Sequence, residues 1–212
     1  MKIKRFEFNM LPVNTYVLWD ETNEAALIDA GCFTANEQQT LKRFIDSNGL
    51  QPKVLLNTHL HFDHLFGNAF VYRTWGIRPQ ANAADEFLLE QAPAQCRMFG
   101  FEINEPTVAL GGYLKQGDVV EFGHTKLQAI AIPGHSPGGM AFYNAEDGCL
   151  FSGDSLFQGS IGRTDLAGGS FDELREAIRS RLFTLPPETV VYPGHDEPTS
   201  IGKEMKDNPY FR

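Results

Sequence analysis

Seven residues, Thr58 to His64 ("THLHFDH"), hold three histidines and an aspartate. Imidazoles this close repel one another when protonated, and each needs a partner when buried and neutral. A cation answers both demands, since neutral histidine with carboxylate is a ligand set for divalent transition metals. The chain has six histidines, and two others end apolar runs: "AIAIPGH" at His135 and "VVYPGH" at His195. A further run, "GCLFSGD", ends on Asp154. Taken singly, such a histidine or aspartate is ordinary turn chemistry. Taken together, four apolar strands each deliver a ligand where the chain turns, and strand ends on one sheet edge can converge.

His59, His61, Asp63, His64, His135, Asp154 and His195 make seven His and Asp ligands without a cysteine. A structural zinc needs four ligands and a catalytic one needs three with an open position, so seven exceed one ion's needs. Two ions sharing a carboxylate and a water use them all. Two ions about 3.5–4 Å apart turn a bridging water into hydroxide at neutral pH. That hydroxide would attack a thioester, ester or similar carbonyl, its oxygen stabilised by one metal. No serine or cysteine nucleophile is then required, and neither "GDSLF" nor "GHSPG" has the G-x-S-x-G form. Asp63, flanked by ligand histidines, is the candidate to steer the hydroxide proton. The two aspartates leave such a site net positive within an acidic chain, suited to an anionic or carbonyl substrate.

The elements that must position these residues are short strands and a few helices. "KIKRFEF", "NTYVLW" and "AALIDAG" read as strands punctuated by Asn, Asp and Gly. A helix follows over "TANEQQTLKRFIDSNG", capped by Thr34 and stopped at Gly49, and then the strand "PKVLLNT". "DHLFGNAFVYRTWG" reads as a helix, and "AADEFLLEQAPAQCRMFG" as another that Pro93 breaks or kinks. Strands return with "DVVEFG", "KLQAIAIP", "GMAFYNAE" and "CLFSGD". A helix capped by Ser170 carries Leu174, Ile178 and Leu182 on one stripe. The strand "TVVYPG" and a short polar tail close the chain. Strands, helix and strand in each half, with no linker between, predict one domain over residues 1–212: two sheets with helices outside.

Bulk properties narrow the partners. A chain of 212 residues with 42% hydrophobic and 21% charged residues buries a full core. The net charge of −9 and pI near 5.1 argue against a nucleic-acid or anionic-membrane surface. No window approaches a membrane span, and the amino terminus lacks the apolar core of a signal peptide. Cys32, Cys96 and Cys149 fit neither a disulfide framework nor a zinc spacing, and read as buried thiols in a reducing cytoplasm.

"THLHFDH", "PGHSPG", "FSGDSLFQGSIGRTD" and "YPGH" together resemble the metallo-β-lactamase superfamily, and within it the hydroxyacylglutathione hydrolase (glyoxalase II) like branch. The resemblance runs from "NTYVL" and "LIDAG" to the tail "TSIGKEMKDNPY". It implies an αβ/βα sandwich, two mixed sheets with helices on the outer faces and the metals at one edge. It also implies His59, His61 and His135 on a first metal, Asp63, His64 and His195 on a second, and Asp154 bridging. Zinc is the leading metal, with iron or manganese as alternatives. Asp29 in "LIDAG" matches a family position, either as a partner orienting a ligand imidazole or as a turn residue. His124 matches no motif and reads as an exposed turn residue.

The departures bear on substrate. The chain ends 17 residues after His195, without the helical domain that gives glyoxalase II its basic contacts to glutathione. Arg163 keeps a basic position, expected to clamp a substrate carboxylate or to pair with Asp165 or Asp172. Asp165 and Glu197 replace family aromatics and weaken the case for anionic glutathione. The aromatic segment "CRMFGFEINEPTVALGGYLKQG" is a candidate lid (Met98, Phe99, Phe101, Tyr113), a dimer patch, or plain packing. The leading function is a metal-dependent thioester hydrolase acting on a small molecule. The alternatives are an iron-dependent persulfide dioxygenase, a hydrolase of another ester or amide, and a non-catalytic or nucleic-acid-acting relative.

Overall fold

The computed structural model describes residues 1–100, 102, 103 and 105–212; the lid candidate Phe101 lies outside them. The first sheet runs in chain order: β1 (Lys2–Phe8), β2 (Val13–Trp19), β3 (Glu24–Ile28), β4 (Gln51–Leu56), β5 (Pro79–Ala81) and β6 (Gly112–Tyr113). β1 to β3 are antiparallel, and β4 to β6 run parallel to β3. The second half adds β7 (Val119–Phe122), β8 (Thr125–Ala131), β9 (Met140–Asn144) and β10 (Cys149–Gly153). A separate small hairpin, β11 (Leu156–Phe157) with β12 (Ser160–Ile161), comes before β13 (Val190–Pro193) and β14 (Thr199–Ser200). The second sheet is ordered β7-β8-β9-β10-β13-β14.

Strand periodicity explains the layering. Tyr16, Leu18, Ala26, Ile28, Val54 and Leu56 point inward to meet Phe122, Leu127, Phe142 and Phe151 of the second sheet. The intervening Val17, Ala25, Leu27 and Leu55 point the other way. There they meet α1 (Ala35–Ser47) and α2 (Asn68–Trp75) through Leu41, Ile45, Phe70 and Val71. With both faces covered, the central strands read as continuous apolar runs rather than alternating ones. α4 (Phe171–Ala177), its π-helical continuation over 178–182 and α5 (Ile201–Asp207) cover the second sheet with Leu174, Ile178, Leu182 and Ile201. Four layers result, helix, sheet, sheet and helix, as expected. A fourth apolar cluster joins α3 (Phe87–Met98) to Leu60, Phe62 and Leu65, directly behind the ligand loop.

Local signals worked where they satisfy backbone groups. Thr34 and Glu37 form a reciprocal capping box at α1, and Gly49 follows its end at φ +63°. Ser170 caps α4. Pro93 does not end α3, which runs through it. Leu88, Leu89, Ala92 and Cys96 are all buried there, and that burial offsets one lost backbone bond. The helix read over residues 63–76 begins only at Asn68, because Phe62–His64 form a separate 3₁₀ turn that aims two candidate ligands inward. The polar tail is folded as well: buried Glu204 accepts from Thr199 Oγ1, Gly159 N and Asn208 Nδ2. Cys32, Cys96 and Cys149 are free and buried.

Candidate metal centre

The direction of the strands builds the site. β3 and β4 are parallel. β8 and β10 share one direction through β9, and β13 is parallel to β10. Each half therefore brings its carboxyl-terminal strand ends to one edge, β4 leading into His59, β8 into His135, β10 into Asp154 and β13 into His195. Hydrogen bonds join the halves at this edge. Met140 N donates to Thr58 O at 2.7 Å, Asn14 N to Gly194 O at 2.7 Å and Tyr16 Oη to Pro193 O at 2.6 Å. Asp20 ties the opposite end, accepting from the backbone N–H of Thr22, His124 and Thr125.

The hydrogen bonds fix which imidazole nitrogens carry lone pairs. His135 Nδ1 lies 2.8 Å from the Arg163 carbonyl and His195 Nδ1 lies 3.0 Å from the Pro12 carbonyl, so both Nδ1 atoms must donate. His64 Nδ1 donates to Asp29 Oδ2 at 3.0 Å. Thr58 Oγ1 gives its own proton to Asp29 Oδ2 at 2.6 Å, so His59 Nδ1, 3.0 Å from that oxygen, donates to it. All four rings then turn Nε2 to the centre; His61 turns Nδ1 instead. His61 Nδ1 and His59 Nε2 lie 2.9 and 3.3 Å from His135 Nε2. Four tetrahedral zinc ligands at about 2.0–2.1 Å from the ion sit roughly 3.3 Å apart. Three lone pairs at that spacing fit a cation and little else.

A second group faces the first across Asp154. His195 Nε2 is 3.5 Å from Asp63 Oδ2, and His64 Nε2 is 3.9 Å from the same oxygen. Asp154 Oδ2 lies 3.7 Å from His135 Nε2 and 3.4 Å from His195 Nε2, while Oδ1 lies 3.5 Å from His64 Nε2. His64 Nε2 and Asp154 Oδ1 are both buried without a hydrogen-bond partner among the described residues. His59, His61 and His135 form one potential metal-holding group, and Asp63, His64 and His195 another. The geometry thus gathers all seven sequence-expected ligands, in two sets with Asp154 between. Gly194 is required there by close approach, since a Cβ would strike Asp154 Oδ1 and crowd His64.

The two sets differ in electrostatics. Burial, reinforced by the neighbouring imidazoles, holds His59 well below its ordinary pKa and His61 down to about 4. Burial also opposes charge on His64 and His195. There, however, Asp154 and the other carboxylates win, raising His64 well above the ordinary value and His195 to about 10. His59 and His61 are therefore neutral and ready to bind, whereas a cation at the second set displaces protons. Asp154 is held well below the carboxylate range despite burial by His64 and His195, and Asp63 is lowered by the same two histidines.

Two buried aspartates brace the loops. Asp29, at φ +49°, also accepts from Thr58 N at 2.8 Å, and so orients His64 and, through Thr58, His59. Asp85 escaped the reading of the sequence. Fully buried, it accepts from Leu60 N at 3.2 Å, Ser136 Oγ at 2.7 Å and Gly138 N at 2.5 Å. It therefore pins the loop between His59 and His61 to the loop after His135. In "ANAAD" it looks like any loop carboxylate, and only its depth marks it. Asp85→Ala is expected to weaken metal affinity about 10- to 100-fold. Competition titration against a chelator checks this, and unchanged affinity would show that the loops hold themselves.

Arg163 lines the cavity over the cluster, but its Nε and Nη2 donate to Asp165 at 2.7 and 2.8 Å. Of the two roles expected for it, the pairing with Asp165 is the one seen. Glu197 is paired with Arg5 at 2.7 and 3.0 Å, so neither acidic replacement leaves a free charge at the site. Of the lid candidates, Met98 and Phe99 line the cavity. Tyr113 does not, its hydroxyl donating to Glu86 instead. His124 is an exposed turn residue facing Glu21.

Known proteins share this architecture. A hydroxyacylglutathione hydrolase, GloC, of Haemophilus influenzae is 32% identical across all of this chain and 98% of its own length. A crystal structure of TTHA1623 in a di-iron-bound form superposes with a TM-score of 0.87 and 35% identity, covering 98% of this chain and 99% of that one. That of the B3 metallo-beta-lactamase BLEG-1 superposes at 0.88 with 32% identity, covering 99% of each chain. Residues 9–195 match the model of the metallo-beta-lactamase superfamily. The chain belongs to that superfamily, as a metallo-hydrolase built on its fold.

Proposed function

We propose that the protein is a thioester hydrolase working with two divalent ions, zinc first and iron or manganese as alternatives. The observation that carries this is the pair of His and Asp ligand clusters on either side of Asp154. His59, His61 and His135 would hold one ion, Asp63, His64 and His195 the other, and Asp154 both. When bound, such ions supply a hydroxide at neutral pH and polarise a carbonyl oxygen. Among the described residues no competing nucleophile stands at the cluster: Ser136 Oγ is committed to Asp85, and the three cysteines are buried. Asp63 lines the cavity floor ionised, positioned to accept a proton. The H. influenzae hydrolase, similar over the whole chain, supports a thioester of the hydroxyacylglutathione kind as reference substrate. With Arg163, the arginine on the cavity wall, already paired with Asp165, S-D-lactoylglutathione should be turned over with a high KM.

The test is metal analysis of the purified protein, then a thioester panel with oxygen monitoring. Two ions per chain and cleavage without oxygen uptake are expected. A single iron with oxygen consumed on a persulfide would replace this reading with the dioxygenase.

A further inference from the structure

Above the metal floor the cavity opens into a chamber of about 610 Å³, large enough to bury a small ligand. Its walls come from three separate segments. Met10 and Leu11 belong to the β1–β2 loop, Met98 and Phe99 to the end of α3, and Leu166 and Ala167 to the loop after Arg163. Several of these side chains stand in solvent at the mouth: Met98 is 84% exposed, Met10 71% and Phe99 50%. The Phe99 ring lies 5.2 Å from that of Phe62, so the apolar surface continues down to the floor. Large apolar side chains left open beside a reactive cluster mark a binding surface.

The polar part of the wall is neutral. Gln91 and Gln95, one turn apart on α3, contribute amides. Among the described residues, Arg163 is the one charged wall residue outside the metal floor, and Asp165 answers its charge in a two-point pair. Away from the metal floor, an anionic group seated on this wall would lose its water without gaining an unpaired cation, whereas an apolar group loses nothing.

We propose that the group recognised by this site is uncharged and apolar, a medium-length or aromatic acyl group seated against Met10, Leu11, Met98, Phe99 and Leu166. This rests on the thioester reading and assigns the specificity of that site to its apolar wall. The metal-loaded protein should be compared on acetyl, hexanoyl and benzoyl thioesters of N-acetylcysteamine, a neutral thiol, and on S-D-lactoylglutathione. Hexanoyl and benzoyl substrates should exceed acetyl by about tenfold or more in kcat/KM, since one fully buried methylene is worth about fourfold. A Met98→Ser/Phe99→Ser variant should lose most of that hexanoyl-to-acetyl ratio, a comparison made within one protein and so insensitive to how much of it folds. Equal use of acetyl and hexanoyl substrates, or clear preference for the glutathione thioester, overturns the proposal. Should no thioester be cleaved with two ions bound, the thioester reading falls by itself, and calorimetry with acetohydroxamate and hexanohydroxamate decides the wall. Tenfold tighter binding of the longer one upholds an apolar specificity surface; equal binding overturns it.

Discussion

Asp154→Ala should lower kcat/KM on the order of 10²- to 10³-fold or more, with the circular dichroism spectrum retained. Losing one well-placed electrostatic group at a reacting centre has a cost of that order, and Asp154 faces both histidine sets. Its two oxygens lie 3.4–3.7 Å from Nε2 of His64, His135 and His195. Without it, His195 loses its nearest carboxylate, at 3.4 Å, and His64 Nε2 loses the carboxylate oxygen 3.5 Å away, leaving His64 with Asp29 on its Nδ1. The fold should survive because Asp154 follows β10, whose buried Leu150 and Phe151 carry the packing. Metal analysis of the variant should show the fall in bound ion alongside the fall in rate. Near-normal turnover would reduce Asp154 to a turn residue and dismantle the two-ion reading.

Removing metal should abolish hydrolysis and also lower the melting temperature on the order of 10 °C. An ion held at a thousand times its dissociation constant adds about 4 kcal/mol at one site, and for a chain of this size each kcal/mol shifts melting by about 2–4 °C. The structure gives the reason for a large effect. Without a cation, three imidazole lone pairs converge within hydrogen-bond distance, and His64 Nε2 and Asp154 Oδ1 stay buried and unpartnered. Activity and melting should both return on adding zinc back. A melting curve indifferent to chelation would mean that the strands and the Asp29 and Asp85 braces hold the cluster unaided.

The chemistry of the site was written in residue types. Histidines and aspartates at strand ends, in excess of one ion's needs, identify a metal centre without knowledge of the fold, because few other environments tolerate them so close together. The layering was equally legible: short apolar runs bounded by turn residues read as strands, and Thr34 and Ser170 announce their helices chemically. What sequence distance concealed was the state of each charge. Arg5 and Glu197 are matched only once segments at opposite ends of the chain have met in space, and of the roles open to Arg163 only the fold shows the pairing with its neighbour Asp165. Asp85 became a brace by being buried between two ligand loops, and the polar tail became helix by closing over Glu204. Ligand type is a property of single residues and survives in one dimension. Pairing, burial and pocket polarity belong to residues brought together by the chain, and only the tertiary structure decides them.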